Sequence, residues 1–414
     1  MRLIIPAICL IINIQEIIIN KTGWTWLSYF DEAILILPYI LAPFAINKKN
    51  EAWLYLILCL PFASFTYTII INYATHPSLL IEQALIQSFI NFKFFLYFVL
   101  FYTSLKLTQS SGNSKLYSTS LLFCLFASLL GYIFNVLSPE FFVFSDASWH
   151  LERNRISGFQ FKPNDLAILL GLSTLFILYS KQPPSRKLIY ISALTFLIIF
   201  SASRTALIFP AIALLATLSR RGHSPYLLAT IAIGMLTGTL LSDKILNSFA
   251  FTETLKNLQE FSSIQSSQYI RGIMLYLGTK LSLSYFPIGT GAGNFGTVMS
   301  ANSPVYNELG VANSYFFANS IGIYDSNIAS ILGEYGVIGI ILYSYLLIKT
   351  LNFLLKENTE QKYIFLALVG FMVFVQPIFS YQVNSINLLL VIFSIRQMNL
   401  SVAKIKIKAP QHCL

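Results

Sequence analysis

Residues 52–73 read AWLYLILCLPFASFTYTIIINY, 22 positions without a single charged side chain. A helix rises about 1.5 Å per residue, so this run reaches about 33 Å, enough to cross a hydrocarbon core about 30 Å thick. Comparable runs lie on both sides of it. They cover about 3–19, 33–47, 84–105, 117–137, 165–180, 187–202, 205–219, 226–242, 326–348, 361–380 and 384–397. The chain is 414 residues long, 56% hydrophobic and 11% charged, with a mean hydropathy of +0.67. A soluble domain carries about 25% charged residues, so this chain needs lipid as part of its solvent. The expectation is an all-α polytopic membrane protein with about 12 transmembrane helices, forming a single membrane domain over residues 1–414. The 35 Phe and 23 Tyr suit that solvent, because aromatic rings settle at membrane interfaces.

The net charge of +10 does not point to nucleic acid, because the basic residues stand in short clusters between apolar runs. With the N-terminus inside, 17 of the 27 lysines and arginines fall in cytoplasmic segments and nine in outer ones, with Lys93 inside a span. The positive-inside rule then places both termini in the cytoplasm, with a basic cytoplasmic tail over 398–414. Arg2 precedes an apolar run from Leu3 without a small-residue cleavage site, which reads as an uncleaved first span. Cys9, Cys59, Cys124 and Cys413 have no CxxC spacing, and the four histidines form no metal motif. Neither a disulfide framework, a metal nor a cofactor is expected. Two outer loops are long, 138–164 and 243–325, and long loops on one face are where function concentrates.

The first of these loops contains Arg153, Arg155, Gly158, Lys162, Pro163, Asn164 and Asp165. It reads either as an anchoring rim of charge or as an anion site at a helix entrance, with Asn164 or Asp165 capping the span that follows. Further on, Ser201-Ala202-Ser203-Arg204-Thr205 sets an arginine between two apolar runs with almost no loop to carry it. A charge near membrane depth tends to face a cavity or a partner, although it can also snorkel. In the second loop, Ile270, Met274, Leu277 and Leu281 keep helical spacing, so an amphipathic helix is expected there with Arg271 at its start. Pro287-Ile288-Gly289-Thr290-Gly291-Ala292-Gly293-Asn294-Phe295-Gly296 reads as a turn returning the loop over the bundle. As a phosphate-binding glycine motif it is weak, because no strand precedes it. Asp325 lies at the mouth of the next span, as an N-cap or as a carboxylate facing substrate.

In these residues the chain resembles the O-antigen ligase and polymerase superfamily of envelope polysaccharide assembly. The matching elements are Arg155-x-x-Gly158 with Pro163-Asn164, Ser201-x-Ser203-Arg204, Arg271, Pro287-x-Gly289-x-Gly291-x-Gly293-x-Phe295, and Asp325-Ser326 followed by Gly336 and Gly339. The ligase branch has His-Asn, then nine residues, then Gly-x-x-Gly. Here Asp325 and Ser326 stand in those two places, and the polymerase (Wzy-type) branch is the closer fit.

The resemblance implies a GT-C-like lipid-linked glycan transferase in the bacterial inner membrane, with short helices in its large periplasmic loop. It would act on undecaprenyl-diphosphate-linked repeat units of O-antigen, capsule or exopolysaccharide, as a metal-independent inverting glycosyltransferase without a cofactor. Arg204, Arg271 and Asp325 are the catalytic candidates. Arg155, Asn164, Ser203 and Ser326 are the substrate-binding candidates. Its expected partners are the lipid-linked glycans, membrane lipids and a polysaccharide chain-length regulator. Two alternatives remain: an O-antigen ligase transferring glycan to lipid A core, and a transporter or flippase. A flippase would carry intramembrane charges across several spans, whereas Lys93 and Glu82 are nearly the only ones apparent in the sequence.

Overall fold

The computed structural model describes residues 4–46, 51–75, 81–109, 115–138, 156–160, 162–201, 203, 205–218, 270–355 and 359–408. Among the described residues every regular element is helical and none is a strand. In chain order the α-helices are α1 (Ile4–Thr22), α2 (Phe30–Ile34), α3 (Leu37–Ala45), α4 (Ala52–Thr75), α5 (Ile81–Asn91), α6 (Lys93–Gln109), α7 (Leu116–Leu137) and α8 (Pro163–Tyr179). They continue with α9 (Pro184–Phe200), α10 (Ile208–Leu218), α11 (Ile270–Ser284), α12 (Val305–Glu308), α13 (Tyr315–Ala318), α14 (Asn327–Leu354), α15 (Thr359–Val375) and α16 (Gln382–Lys408).

Five of these stretches are long and apolar enough to cross a membrane: Ile4–Thr22, Thr25–Ala45, Ala52–Tyr73, Leu116–Leu137 and Asn327–Leu354. The pair α5 and α6, bent by 54° at Phe92, makes a sixth if it counts as one broken span. Among the described residues the protein is therefore all-helical, with several membrane-length apolar helices. The other expected spans look different once folded. Helices α8, α9 and α15 have 17 residues each, about 25 Å of rise. Helix α16 has 27 residues, but Asn384, Asn387, Arg396 and Gln397 interrupt its apolar run. The expected span 226–242 lies outside the described residues.

The chain divides into two compact units. The first comprises Met1–Phe30, Asn113–Leu258 and Asn387–Leu414, the second Asp31–Gly112 and Gln259–Ile386. In the first unit, α8 is the central helix, buried on nearly every face between Pro163 and Leu175. It packs against α9 and α10, and the missing side chain of Gly171 admits the ring of Phe209. Apolar burial does not drive helix association inside lipid, so small residues and buried amides take over. Asn13 of α1 and Asn387 of α16 exchange two amide hydrogen bonds, at 3.1 and 3.0 Å, and Gln160 donates to Asn13 at 3.0 Å.

The second unit is organised by an interruption in α14. Gly336 has φ +61° and ψ −152° in the middle of this helix, a conformation open essentially to glycine alone. The glycine-rich segment 287–296 plugs the break. The amides of Thr290 and Gly291 donate to the carbonyls of Gly333 and Glu334 at 2.9 and 2.8 Å, and Ile338 N–H donates to Pro287 O at 3.3 Å. This approach is backbone against backbone. A Cβ at Gly289 would lie 2.5 Å from Gly333 O, and one at Gly336 would lie 2.7 Å from Pro287 O. The expected turn is thus the part that completes a broken helix. Beside it, α11 runs along the first half of α14 so closely that a Cβ at Gly278 would meet Ala329 O at 2.6 Å.

Substituting either partner of the break is therefore severe. Gly289→Ala and Gly336→Ala are each expected to cost about 3 kcal/mol or more, from strain plus displaced backbone hydrogen bonds. Gly370→Ala is the control, because it lies in α15 with nothing within 4 Å of an added Cβ. It should be neutral or gain about 0.5–1 kcal/mol. Thermal unfolding of the three variants in detergent is the measurement, and equal melting of Gly336→Ala and Gly370→Ala would disprove this account of the break.

Candidate functional site

Close packing of α11 on α14 sets Arg271, the second residue of α11, opposite Asp325, just ahead of α14. Arg271 Nη2 lies 3.1 Å from Asp325 Oδ2. The two residues are 54 positions apart in sequence. The arginine side chain is 23% exposed and the aspartate 44%. The pairing is single-pronged, so most of the five guanidinium donors remain free for a second acceptor. A solvated pair of this kind contributes at most about 1 kcal/mol, so an incoming anion can replace the aspartate at little cost.

The expected helix caps are displaced by a residue or two. Ser326, not Asp325, caps α14, accepting the Ala329 amide at 3.4 Å, while its carbonyl takes the Ser330 hydroxyl at 2.8 Å. Ser326 is buried, and its hydroxyl is used within the fold. Asp325 stands outside the helix, free to pair with Arg271, near the positive end of the α14 dipole. Similarly, α8 starts at Pro163 with Lys162 at its N-cap and no side-chain cap bond, so neither Asn164 nor Asp165 is the cap. Proline is well suited to the first helical position because its fixed φ already matches the helix. Asn164 is half-buried and Asp165 is buried in that first turn.

Arg271, Asp325 and Ser326 belong to the second unit, whereas Asn164 and Ser203 belong to the first. Ser203 is buried, 3.4 Å from Thr205 Oγ1. Arg155 and Arg204 lie outside the described residues, as do 139–155 of the first outer loop and 243–269 of the second. Next to Arg155, Gly158 adopts φ +57°. Asn135 of α7 pins that turn by accepting the amides of Ser157 and Gly158 at 3.0 and 3.1 Å.

The residue that sequence reasoning passed over is Glu334. It is 1% exposed, two residues before the break in α14. Its Oε1 accepts the Gly293 amide and the Thr297 hydroxyl, both at 2.7 Å, and its Oε2 accepts Asn91 Nδ2 at 2.6 Å. The backbone of Phe295 adds another bond. Asn91 is the last residue of α5, so this carboxylate ties the interruption after α5 to the one in α14. Gln87 holds Asn91 in turn at 2.7 Å, and Tyr335 OH links it to Ser64 at 2.8 Å. On the far side of Phe92, the buried Lys93 pairs with Asp31 at 2.5 Å and with Glu32 at 3.1 Å. A lone acid between glycines, Gly333-Glu334-Tyr335-Gly336, inside an apolar run was the available signal.

Outside the membrane-length helices, Tyr306 anchors the plug by accepting the Gly296 amide at 2.9 Å, with its hydroxyl 2.9 Å from Ser300 Oγ. Burial pushes its phenol up to about 12. Burial also raises Tyr285, which donates to Glu308 at 3.1 Å. Next to the break is a groove of about 230 Å³, lined by Leu60, Tyr67, Phe92, Ile288, Ile338 and Tyr343 among others.

Compared with known protein families and with curated proteins, the chain matches none.

Two outcomes test this network. Glu334→Gln presents an amide donor where only donors converge, and should lose about 1–3 kcal/mol in thermal unfolding. Unchanged melting would remove Glu334 as the anchor of the plug. The second concerns pH. The folded state holds the Tyr306 proton more tightly than an unfolded chain, whose tyrosines titrate near 10. This contribution is therefore complete below about pH 10 and is lost as pH rises from about 10 through 12. Tyr306→Phe should narrow the stability difference between pH 8 and pH 11, and an identical pH response in both proteins would exclude this contribution.

Proposed function

We propose that this protein polymerises glycan repeat units carried on undecaprenyl diphosphate, at the outer face of a bacterial inner membrane. The observation that carries the reading is the Arg271–Asp325 pair. Two residues selected in the sequence for opposite roles stand 3.1 Å apart at the mouth of a membrane-length helix. About a dozen spans, a GT-C-like arrangement and two cytoplasmic termini belong to this proposal.

In the proposed step, a hydroxyl oxygen of the acceptor sugar attacks the anomeric carbon of the lipid-linked donor. The new C–O bond forms as the bond to the diphosphate oxygen breaks, and the anomeric configuration inverts. The leaving diphosphate takes up negative charge. A guanidinium suits that charge because its planar fork binds phosphate oxygens in pairs. Arg271 supplies one such fork; Arg204 and Arg155, for which the resemblance implies the same phosphate chemistry, lie outside the described residues. Asp325, released from Arg271 by the diphosphate, accepts or orients the hydroxyl proton, which passes to solvent. The groove beside the α14 break offers an apolar surface to the isoprenoid chain. The expected acceptor is a second lipid-linked repeat unit; in the ligase alternative it is lipid A core.

A second reading is favoured by a specific observation. Both the α5–α6 pair and α14 are interrupted, and Asn91 and Glu334 bond to each other next to the two interruptions. Discontinuous helices of this sort often frame the binding sites of carriers. The alternative is therefore a transporter or flippase of lipid-linked glycan.

A glycan profile of a deletion strain complemented with variants separates these readings. For a polymerase, the deletion leaves single repeats attached to lipid A core and no long chains. Arg271→Lys and Asp325→Asn should each shorten chains at least 10-fold in yield while the protein still inserts, because an ammonium lacks the planar fork. Polymer retained on the carrier lipid would indicate a ligase, and repeats trapped at the inner face a flippase. Wild-type chain lengths in both variants would refute the roles given to this pair.

A further inference from the structure

A groove of about 630 Å³ lies away from this site, within the first unit. Its walls are apolar along most of their length, formed by Leu121, Leu122 and Leu125 of α7 and by Phe176 and Ile177 of α8. One end is polar. There Lys115, at the N-cap of α7, and Lys181, just beyond the end of α8, both line the groove. Both lysines are exposed, and neither has an ion-pair partner among the described residues. Their neighbour Lys187 is already committed, because it is buried and donates to the Leu178 carbonyl at 2.7 Å.

A second, independent feature is Gln397 of α16, which also lines the groove. It is 4% exposed. Its Oε1 accepts the Tyr117 amide at 3.1 Å, which fixes the orientation of the side chain, while its Nε2 is buried without a partner. A buried amide donor left unpaired costs about 1–3 kcal/mol, so an acceptor is called for at this wall.

An apolar slot lined also by two exposed ammonium groups and an unfilled amide donor describes the complement of a particular molecule. We propose that the first unit binds an anionic glycerophospholipid, with one acyl chain in this groove, its phosphate between Lys115 and Lys181, and an ester or phosphate oxygen on Gln397. The lysine is a compact point charge suited to phosphate. On the orientation expected from loop charge, this end faces the cytoplasmic leaflet, where basic pockets between membrane helices select anionic lipid head groups. The site is independent of the polymerase reading.

The experiment uses the full chain, purified in mild detergent, stripped of lipid and offered vesicles of phosphatidylglycerol and phosphatidylcholine in equal amounts. Native mass spectrometry counts the lipids retained. The wild type should retain one phosphatidylglycerol in preference to phosphatidylcholine. The double variant Lys115→Gln, Lys181→Gln should bind it roughly 10- to 30-fold more weakly, from about one electrostatic contact's worth of affinity at each lysine. Ser118→Trp, which fills the groove without touching a charge, should lose the bound lipid, and Lys280→Gln in the other unit should leave it unchanged. Melting temperatures establish that each variant is folded. Equal retention of the two lipids by the wild type, full retention by the lysine double variant, or retention by a folded Ser118→Trp would each overturn the proposal.

Discussion

A polypeptide inside a hydrocarbon layer has to satisfy its own backbone, and a helix broken there exposes carbonyls and amides that water cannot reach. Gly336 breaks α14 nine residues after its start, and the segment 287–296 answers with its own amides and with Pro287 O. Much of the second unit follows from that repair. Once the plug is seated, the chain just before it, α11, lies along the first half of α14. Arg271 then falls opposite Asp325. Glu334 holds the plug from beneath by accepting from Gly293 and Thr297, and couples it to α5 through Asn91. The exposed ion pair owes its geometry to a buried carboxylate that never meets solvent.

The helical, membrane-length character of the chain was legible because charge-free runs such as 52–73 leave few other solutions. Helix α11 was legible for a different reason, since Ile270, Met274, Leu277 and Leu281 repeat at the helical period and three of the four are buried together. The extent of individual spans was harder to read. A 17-residue helix and a 22-residue helix look alike when an apolar flank follows the shorter one, as at α8 and α9. Caps were misplaced by a residue or two because Asp325 and Ser326 both suit an N-cap, and only the pull of Arg271 separates them. The role of 287–296 was out of reach, since glycine spacing reports permissive backbone and says nothing about which backbone comes near.

Both units use buried polar side chains as glue. In the first, buried amides predominate, with Asn13, Gln160 and Asn387 joined in one cluster and Asn135 pinning the turn at Gly158. In the second, buried amides such as Gln87 and Asn91 are joined by the carboxylate of Glu334 and by the Lys93–Asp31 pair. Buried charge makes sense where helices are interrupted, because the ends of helices supply oriented amides that a neutral interior lacks. Polar residues within apolar runs were therefore the informative letters of this sequence, more so than the loop charges that first drew attention.

The contrast between the two acidic residues of the α14 region separates structure from chemistry. Glu334 has its oxygens filled by amides and a hydroxyl in the interior, so an approaching hydroxyl group finds no lone pair to meet. The Asp325 carboxylate is 44% exposed and has one hydrogen-bond partner, a guanidinium, the side chain best suited to binding anions. Under the proposed transfer reaction, an anion arriving at Arg271 would free the aspartate at the moment a second substrate needs an acceptor, so the contact that stores the pair at rest would order the two-substrate reaction. The proposed transfer reaction rests on that exposed pair, and the carrier reading rests on the interrupted helices.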